Sequence, residues 1–264
     1  MSKMVRPALL LVAHGSRDDR FVVTAEQIRD AVAGELPGVA VELSYLDLNA
    51  PLVGDALATL GPRTDDVVVV PLLLGDGYHS RFDLPAILSA ATRQRISLRT
   101  SQTPVVGDTS LVPALLSRLA EAGLRSNDGV LMCAVGSSDA GSDAQARRRA
   151  AELSERLKVP VEVVFATKPG EHDKELRSAV SRLEDARVDR IVLSPYFLSA
   201  GLLTERVIGK VLAYRPDSLV AAPIGEHRAL IDAVTSNYRT ALRGVSHSSG
   251  TSSQPGRDSL LHSF

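Results

Sequence analysis

The sequence predicts an α/β fold made of two tandem (βα)4 halves, each a parallel sheet flanked by helices, facing a central cleft. Three observations support this prediction. Short apolar runs alternate with segments of helical periodicity along the chain. The runs are apolar throughout, as expected for strands of parallel sheets that helices cover on both faces. Finally, the second part of the chain repeats motifs of the first.

The first half contains four strand–helix units. Its first strand, ALLLVA (8–13), ends at His14, and apolar residues at roughly helical spacing predict a helix over 19–36. The pattern then continues with strands at 39–46, 66–74 and 97–106, and with helices through Asp55 and Ala58, over 84–94 and over 110–122.

The second half starts the same alternation again at Gly129. Four strands are predicted at 129–135, 159–166, 189–197 and 218–224, each followed by a helix, at 142–157, 172–186, 203–214 and 229–242. We therefore divide the chain into an N-terminal half (1–126), a C-terminal half (127–243) and a tail (244–264). The tail is rich in serine and glycine, so we expect it to be disordered.

Composition excludes several classes of function. The chain has 264 residues and a net charge of −1, which does not favour sequence-independent binding to nucleic acid. A single cysteine rules out an intramolecular disulfide and fits a reducing compartment. The apolar run near the N-terminus is too short for a signal sequence or a membrane span. We expect a cytoplasmic protein that binds neither nucleic acid nor membranes.

The two halves differ at two informative positions. The tripeptide HGS beginning at His14 aligns with VGS beginning at Val135, each directly after the first strand of its half. The segment PLLLGDGYHSRFD aligns with PYFLSAGLLTERV, which sets His79 against Leu203. The sequence therefore predicts that only the first copy carries polar functional side chains at these two positions.

His14 and His79 both follow strands of the same half. Ligands of parallel sheets bind at the carboxyl ends of the strands, and the first and third strands of such sheets are commonly adjacent. Neutral imidazole binds first-row transition metals and accepts protons near neutral pH. The pair thus indicates a metal-binding or proton-transfer site, whereas either histidine taken alone could be an ordinary hydrogen-bonded loop residue.

Five neighbouring residues are candidate substrate contacts. Ser16 and Arg17 precede a helix and could seat a carboxylate or phosphate, and Arg81 repeats this chemistry beside His79. Gly77 would let the backbone approach a flat ligand, and Tyr78 could act as a platform for it. Helix capping, solvation of the arginines, a simple turn and core packing are the alternative interpretations.

Motifs of several large enzyme classes are missing from the sequence. It contains no Walker A pattern, no G-x-G-x-x-G after a strand, no H-E-x-x-H and no C-x-x-C. The sequence therefore disfavours P-loop enzymes, nucleotide-binding oxidoreductases and zincins.

Two motifs together carry a family resemblance. AHGSRD after the first strand and P-L-L-L-x-x-G-x-H-x-x-x-D-x-P from Pro71 to Pro85 resemble the class II chelatases of the sirohydrochlorin chelatase (CbiX/SirB) family, over about residues 8–243. The resemblance implies insertion of Fe²⁺, or Co²⁺, into sirohydrochlorin without ATP, towards sirohaem or cobalamin. It also implies that His14 and His79 bind the metal and catalyse its insertion.

Further expectations follow from this resemblance. The C-terminal half should be a degenerate copy that shapes the cleft, and a duplicated chain should act as a monomer. The divalent metal would be a substrate, with no permanently bound cofactor, because a single cysteine and a serine-rich tail argue against an iron–sulfur cluster.

Two other classes of function remain as alternatives. A non-catalytic carrier of a metal or tetrapyrrole could use the same two histidines. A hydrolase with Ser16 as nucleophile and His14 as base is disfavoured, since the sequence has no G-x-S-x-G elbow.

Overall fold

The structure, a computed structural model, describes residues 6–60, 62 and 64–248, with side chains described as far as residue 243. Each half is a β-α-β-α-β-α-β-α unit. The first half consists of β1 (Ala8–Ala13), α1 (Asp19–Glu35), β2 (Val41–Tyr45), α2 (Val53–Leu60), β3 (Asp66–Pro71), α3 (Leu84–Gln94), β4 (Arg99–Gln102) and α4 (Val112–Glu121). The second consists of β5 (Gly129–Ala134), α5 (Ala140–Leu157), β6 (Val161–Phe165), α6 (Lys174–Asp185), β7 (Ile191–Pro195), α7 (Leu202–Tyr214), β8 (Leu219–Val220) and α8 (Arg228–Ser248).

The strands form two parallel sheets of identical topology. Their orders are β2-β1-β3-β4 and β6-β5-β7-β8. In the first sheet Leu9 lies beside Val41 on one side and Val68 on the other, so β1 and β3 are neighbours. The predicted fold class, two parallel sheets flanked by helices, is therefore confirmed, and the loops after β1 and β3 leave the sheet side by side.

The apolar residues form three layers of core. Alternate residues of each strand point to opposite faces, so Leu10 and Val12 pack under α2 and α3, whereas Leu9 and Leu11 point inward. A matching outer core of the second half packs under α6 and α7. The inward faces of both sheets belong to one central cluster that also contains residues of α1, α4, α5 and α8.

The last helix of each half packs on the other half. α4 contacts β7 and α5, and α8 contacts β3 and α1. The hydroxyl of Tyr238 on α8 donates a 2.6 Å hydrogen bond to the carbonyl of Pro7, directly before β1. The two halves thus share one central core.

Some boundaries differ from the predicted ones. β8 has only two residues because little of the predicted strand 218–224 pairs with β7. A π-helical turn, His79–Asp83, was not predicted and leads directly into α3. α8 continues to Ser248, into the segment expected to form a disordered tail, and residues 249–264 lie outside the described part of the chain.

Candidate active site

A cleft of about 620 Å³ opens between the carboxyl ends of the two sheets. Loops after β1 and β3 form one wall, and loops after β5 and β7 form the other. Its volume is in the range of small-molecule binding sites. The lining is mostly apolar, with serine and threonine hydroxyls at several points. The fold therefore places one shared cavity where ligands of parallel sheets bind.

His14 and His79 meet in this cleft. Their ring centroids are 4.7 Å apart and the rings are nearly perpendicular, at 85°. His14 directly follows β1, and His79 opens the π-helical turn after β3. The adjacency of β1 and β3 is what brings these residues together, although they are far apart in sequence.

The environment of His14 favours its neutral form. Desolvation in the cleft is the largest cause that lowers its pKa below the ordinary value of 6.5, and repulsion from His79 lowers it further. Backbone hydrogen bonds and the charge of Asp47 act in the opposite direction with smaller effect. The imidazole therefore stays able to bind a metal or accept a proton at a lower pH than an ordinary histidine.

His79 has a carboxylate partner. Its Nδ1 lies 2.7 Å from Oδ2 of Asp83, four residues later in the same turn. Both side chains are partly exposed, at 51% and 41%. The bond ties one ring nitrogen of His79 to the protein.

A tight turn fixes the backbone around His14. Gly15 has φ of +102°, and a Cβ there would lie 1.9 Å from the carbonyl oxygen of Asp47. The amide of Asp47 donates to the carbonyl of His14 over 3.1 Å, and the amide of Ser16 donates to Oδ1 of Asn49 over 2.7 Å. Sequence reasoning missed Asp47 and Asn49. Their position after β2, the strand beside β1, was the signal that could have identified them.

Four of the five predicted contact residues line the cleft: Ser16, Arg17, Gly77 and Tyr78. The Ser16 hydroxyl accepts a 3.1 Å hydrogen bond from the amide of Asp18. Tyr78 is 61% exposed and stacks on Phe82, with ring centroids 4.9 Å apart. The sequence analysis did not identify Phe82, which is 57% exposed and follows Tyr78 at helical spacing.

Arg81 is not among the described residues that line the cleft, and its predicted contact with substrate stays a prediction. Its guanidinium pairs with the carboxylate of Asp139, the residue that caps α5 in the second half, and also lies near Asp76. Arg81 thus links the turn that carries His79 to the opposite half. The loop geometry on which this pairing depends cannot be inferred from the local sequence.

The second half supplies a wall in which apolar side chains alternate with serine and threonine hydroxyls. Val135 and Leu203, the counterparts of the two histidines, both line the cleft. The turn at Gly136 is held by the carboxylate of Asp143, which accepts from the amide of Ser137 over 2.8 Å and pairs with Lys168. This copy keeps the loop conformation while its histidine positions carry aliphatic side chains.

The described part of the chain offers few other groups that could bind a metal ion or act as a nucleophile. Within residues 6–60, 62 and 64–248, no group of three His, Cys, Asp or Glu side chains is arranged to hold a metal ion. Burial raises the pKa of the Cys133 thiol to about 12, so it stays protonated. Among the helices described, none combines the length and apolar character needed to cross a membrane.

Known proteins resemble this chain over almost its whole length. The chain is 28% identical to the sirohydrochlorin ferrochelatase of Bacillus subtilis (strain 168) over 246 residues, which are 89% of this chain and 92% of the relative. It is 26% identical to the sirohydrochlorin cobaltochelatase of Priestia megaterium, over 79% of this chain and 69% of the relative.

Solved structures share the fold. SirB from Bacillus subtilis with Fe³⁺ superimposes with a TM-score of 0.77 and 25% identity, covering 92% of this chain and 98% of that one. The sirohydrochlorin chelatase SirB from Bacillus subtilis subspecies spizizenii in complex with cobalt has a TM-score of 0.75 and 22% identity, covering 92% and 97%.

The sequence pattern of one family, CbiX, matches the chain twice. The first match covers residues 8–122 and the second covers residues 129–241, one in each half. Together the two matches leave out only the termini and the short linker between the halves. The chain belongs to the CbiX family.

Proposed function

We propose that the protein is a sirohydrochlorin chelatase, which inserts Fe²⁺ or Co²⁺ into the tetrapyrrole without ATP. The observation that carries this proposal is the contact of His14 and His79, 4.7 Å apart, in a cleft of about 620 Å³. Relatives named sirohydrochlorin ferrochelatase and sirohydrochlorin cobaltochelatase support the choice of substrate. The proposed site belongs to the N-terminal half, residues 1–126.

The two histidines can perform both chemical tasks of the reaction. Insertion binds one divalent ion to the macrocycle and releases the two protons of its pyrrole N–H groups. Neutral imidazoles hold the incoming ion while its remaining coordination positions stay open to the macrocycle nitrogens. An imidazole that has passed on the metal accepts a proton and releases it to solvent.

The remaining cleft residues would bind the macrocycle. Arg17 and the hydroxyl of Ser16 are placed to meet peripheral carboxylates, because charge-assisted bonds are the strong ones for such groups. Gly77 permits close approach to the ring, and Tyr78 offers an aromatic surface. The wall of the second half, with aliphatic and aromatic side chains such as Val135, Leu203 and Phe197, would cover the other face.

The choice of metal is set only in part by the ligands. At a given nitrogen site, affinity rises from Fe²⁺ to Co²⁺, so two imidazoles do not by themselves select iron. The full-length relative described above is a ferrochelatase, and we therefore favour Fe²⁺, giving sirohaem, with Co²⁺ as an alternative substrate.

We further propose a cytoplasmic monomer with no permanently bound cofactor and no nucleic-acid or membrane partner. The duplicated chain itself supplies both walls of the cleft, which supports action as a monomer. A reducing compartment keeps the metal substrate in the ferrous state.

An anaerobic turnover assay tests the proposal. Sirohydrochlorin is supplied in many equivalents with Fe²⁺ or Co²⁺, and its visible absorption is followed with the wild type, His14→Ala and His79→Ala. We expect multiple turnovers by the wild type and at least a 100-fold lower rate for each variant, on the order of the loss of a general base. Saturation at one equivalent would favour a carrier instead. Turnover that neither substitution changes would reject the proposed site.

A further inference from the structure

The turn that carries His79 has an unusual local geometry. In the π-helical segment His79–Asp83, the amide of Leu84 donates to the carbonyl of His79, five residues earlier. This wider turn sets Nδ1 of His79 2.7 Å from the carboxylate of Asp83. Single π-helical turns occur frequently at functional sites.

The hydrogen bond determines which ring nitrogen can serve as a ligand. A carboxylate accepts hydrogen bonds, so the neutral ring must carry its proton on Nδ1, and its lone pair then lies on Nε2. Across the residues described, no hydrogen bond involves Nε2 of His79, and the His14 ring lies beside the His79 ring, with centroids 4.7 Å apart. Metal-binding histidines commonly have their second nitrogen held in this way.

The duplication provides an internal comparison for Asp83. In the alignment of the two copies, His79 corresponds to Leu203 and Asp83 corresponds to Val207, which is 7% exposed and packs in the outer core. The copy that lacks the histidine therefore also lacks its carboxylate partner.

Only the glycine cap before the turn is retained in both copies, because the second copy continues as a regular α-helix, Leu202–Tyr214. The amide of Gly77 donates to the Ser80 hydroxyl over 3.0 Å, and the amide of Gly201 donates to the Thr204 hydroxyl over the same distance. Each hydroxyl also donates back to the carbonyl of its glycine. A glycine cap of this kind forms in the second copy without the acidic residue, so forming the cap does not require Asp83.

We propose that Asp83 is a positioning residue, which holds His79 in the Nδ1–H tautomer so that Nε2 faces the incoming metal ion. This inference rests on the proposed function, because it assigns Asp83 to the same site. Asp83 itself binds neither the metal nor the macrocycle. Removal of the Asp83 carboxylate should raise the KM for the metal ion more than the KM for the tetrapyrrole.

The test compares Asp83→Ala and Asp83→Asn with a matched control, Asp232→Ala. Asp232 forms an exposed i,i+4 pair with Arg228 over 2.8 Å on α8. Its removal reproduces the loss of a surface carboxylate pair at a place remote from the histidines. The full-length protein is used throughout, and Co²⁺ serves as the metal because it is stable in air.

We expect the KM for Co²⁺ to rise about 10- to 100-fold in Asp83→Ala, the usual effect of losing such a partner. The KM for the tetrapyrrole should change less than about twofold, because Asp83 makes no contact with the macrocycle. Asn can still accept the Nδ1 hydrogen bond, so Asp83→Asn should give an intermediate KM for Co²⁺. The control should match the wild type.

A spectroscopic measurement follows the tautomer directly. Nitrogen-15 NMR of the metal-free protein, at a pH where the imidazoles are neutral, distinguishes Nδ1–H from Nε2–H, and the His79→Gln variant assigns the signals. We expect His79 to be in the Nδ1–H form in the wild type and a mixture in Asp83→Ala. The control should keep the wild-type signals.

Three outcomes would overturn the inference. They are a wild-type KM for Co²⁺ in Asp83→Ala, an unchanged His79 tautomer in that variant, or an equal rise of the KM in Asp232→Ala. If circular dichroism shows that Asp83→Ala does not fold, a wild-type Co²⁺ KM in Asp83→Asn would overturn it instead. Should the wild type fail to turn over sirohydrochlorin, the proposed function fails, and NMR with Co²⁺ binding titrations still decides the role of Asp83.

Discussion

The pKa of His14 gives the site a defined pH dependence. Because desolvation and the neighbouring His79 both lower this pKa, His14 should titrate below 6.5, and its neutral form should persist to lower pH than in a free histidine. Proton NMR of the ring signals measures the midpoint. Chelatase activity should fall as the pH drops through this midpoint, since protonated imidazole neither binds metal nor accepts a proton.

Substitution of the neighbour provides the control for this prediction. His79→Gln removes the second-largest cause of the lowered pKa, so the midpoint of His14 should move up towards 6.5. A midpoint at or above 6.5 in the wild type would contradict the prediction. So would activity that stays constant as the pH falls through the measured midpoint.

Gly15 is the residue whose substitution should most disturb the site through the backbone. We expect Gly15→Ala to reduce the free energy of unfolding by about 1–3 kcal/mol from the strained φ alone, and to shift His14 because the new Cβ meets the carbonyl of Asp47. Urea denaturation and the turnover assay measure the two effects. Gly38→Ala is the matched control, since Gly38 has φ of +80° but no atom within 4 Å of a Cβ.

The comparison of the two glycine variants separates strain from steric conflict. Gly38→Ala should lose stability and keep activity, whereas Gly15→Ala should lose both. Full activity in Gly15→Ala would show that the turn does not position His14.

At the scale of elements, the loop after β1 and the π-helical turn after β3 place their arginines differently. Arg17 lines the cleft, whereas Arg81 pairs with Asp139 across the halves. We expect Arg17→Ala to raise the KM for the tetrapyrrole about 10-fold or more, since a hydrogen bond to a charged group contributes about 1.5–3 kcal/mol. Steady-state kinetics with the tetrapyrrole as the varied substrate checks this.

Arg81→Ala is the companion variant on the same wall. It should leave the KM for the tetrapyrrole nearly unchanged, because the guanidinium is already paired with Asp139. Equal effects of the two substitutions would mean that Arg81 reaches the substrate as well, as the sequence first suggested.

The elements themselves were largely predictable, whereas their local departures from regularity were not. Apolar periodicity predicted the helix over 84–94, and the structure has α3 at those residues. The π-helical turn before it depends on hydrogen bonds that no periodicity encodes. The contact of His14 with His79 followed from strand order, but the supporting roles of Asp47 and Asn49 depend on where the loop after β2 turns.

At the scale of the whole molecule, the shared core should make the halves interdependent. α4 packs on the second sheet and α8 packs on the first, so a fragment of either half alone loses a covering helix. We expect residues 1–126 and 127–264, produced separately, to be unstable or aggregated and to form an active complex when co-expressed. Circular dichroism, gel filtration and the turnover assay measure this.

Two well-folded, monomeric fragments would contradict the interdependence. The sequence could predict the duplication but not this exchange of helices. α4 and α8 have an apolar face whichever sheet they cover, and nothing in their periodicity identifies the partner. The repeat boundary near residue 126 therefore stays a prediction from the sequence, while the packing of the two repeats depends on both of them together.

The position of α8 also sets the order in which the protein can mature during synthesis. β1 and β3 leave the ribosome early, yet α8, which covers their inward face together with α1, follows all the other elements described. Until α8 is made, the inward face of the first sheet stays incompletely covered. This face carries Leu9, Leu11 and Val68. A chain released before α8 is complete would present that apolar surface to chaperones and proteases, so quality control can distinguish truncated products from finished ones.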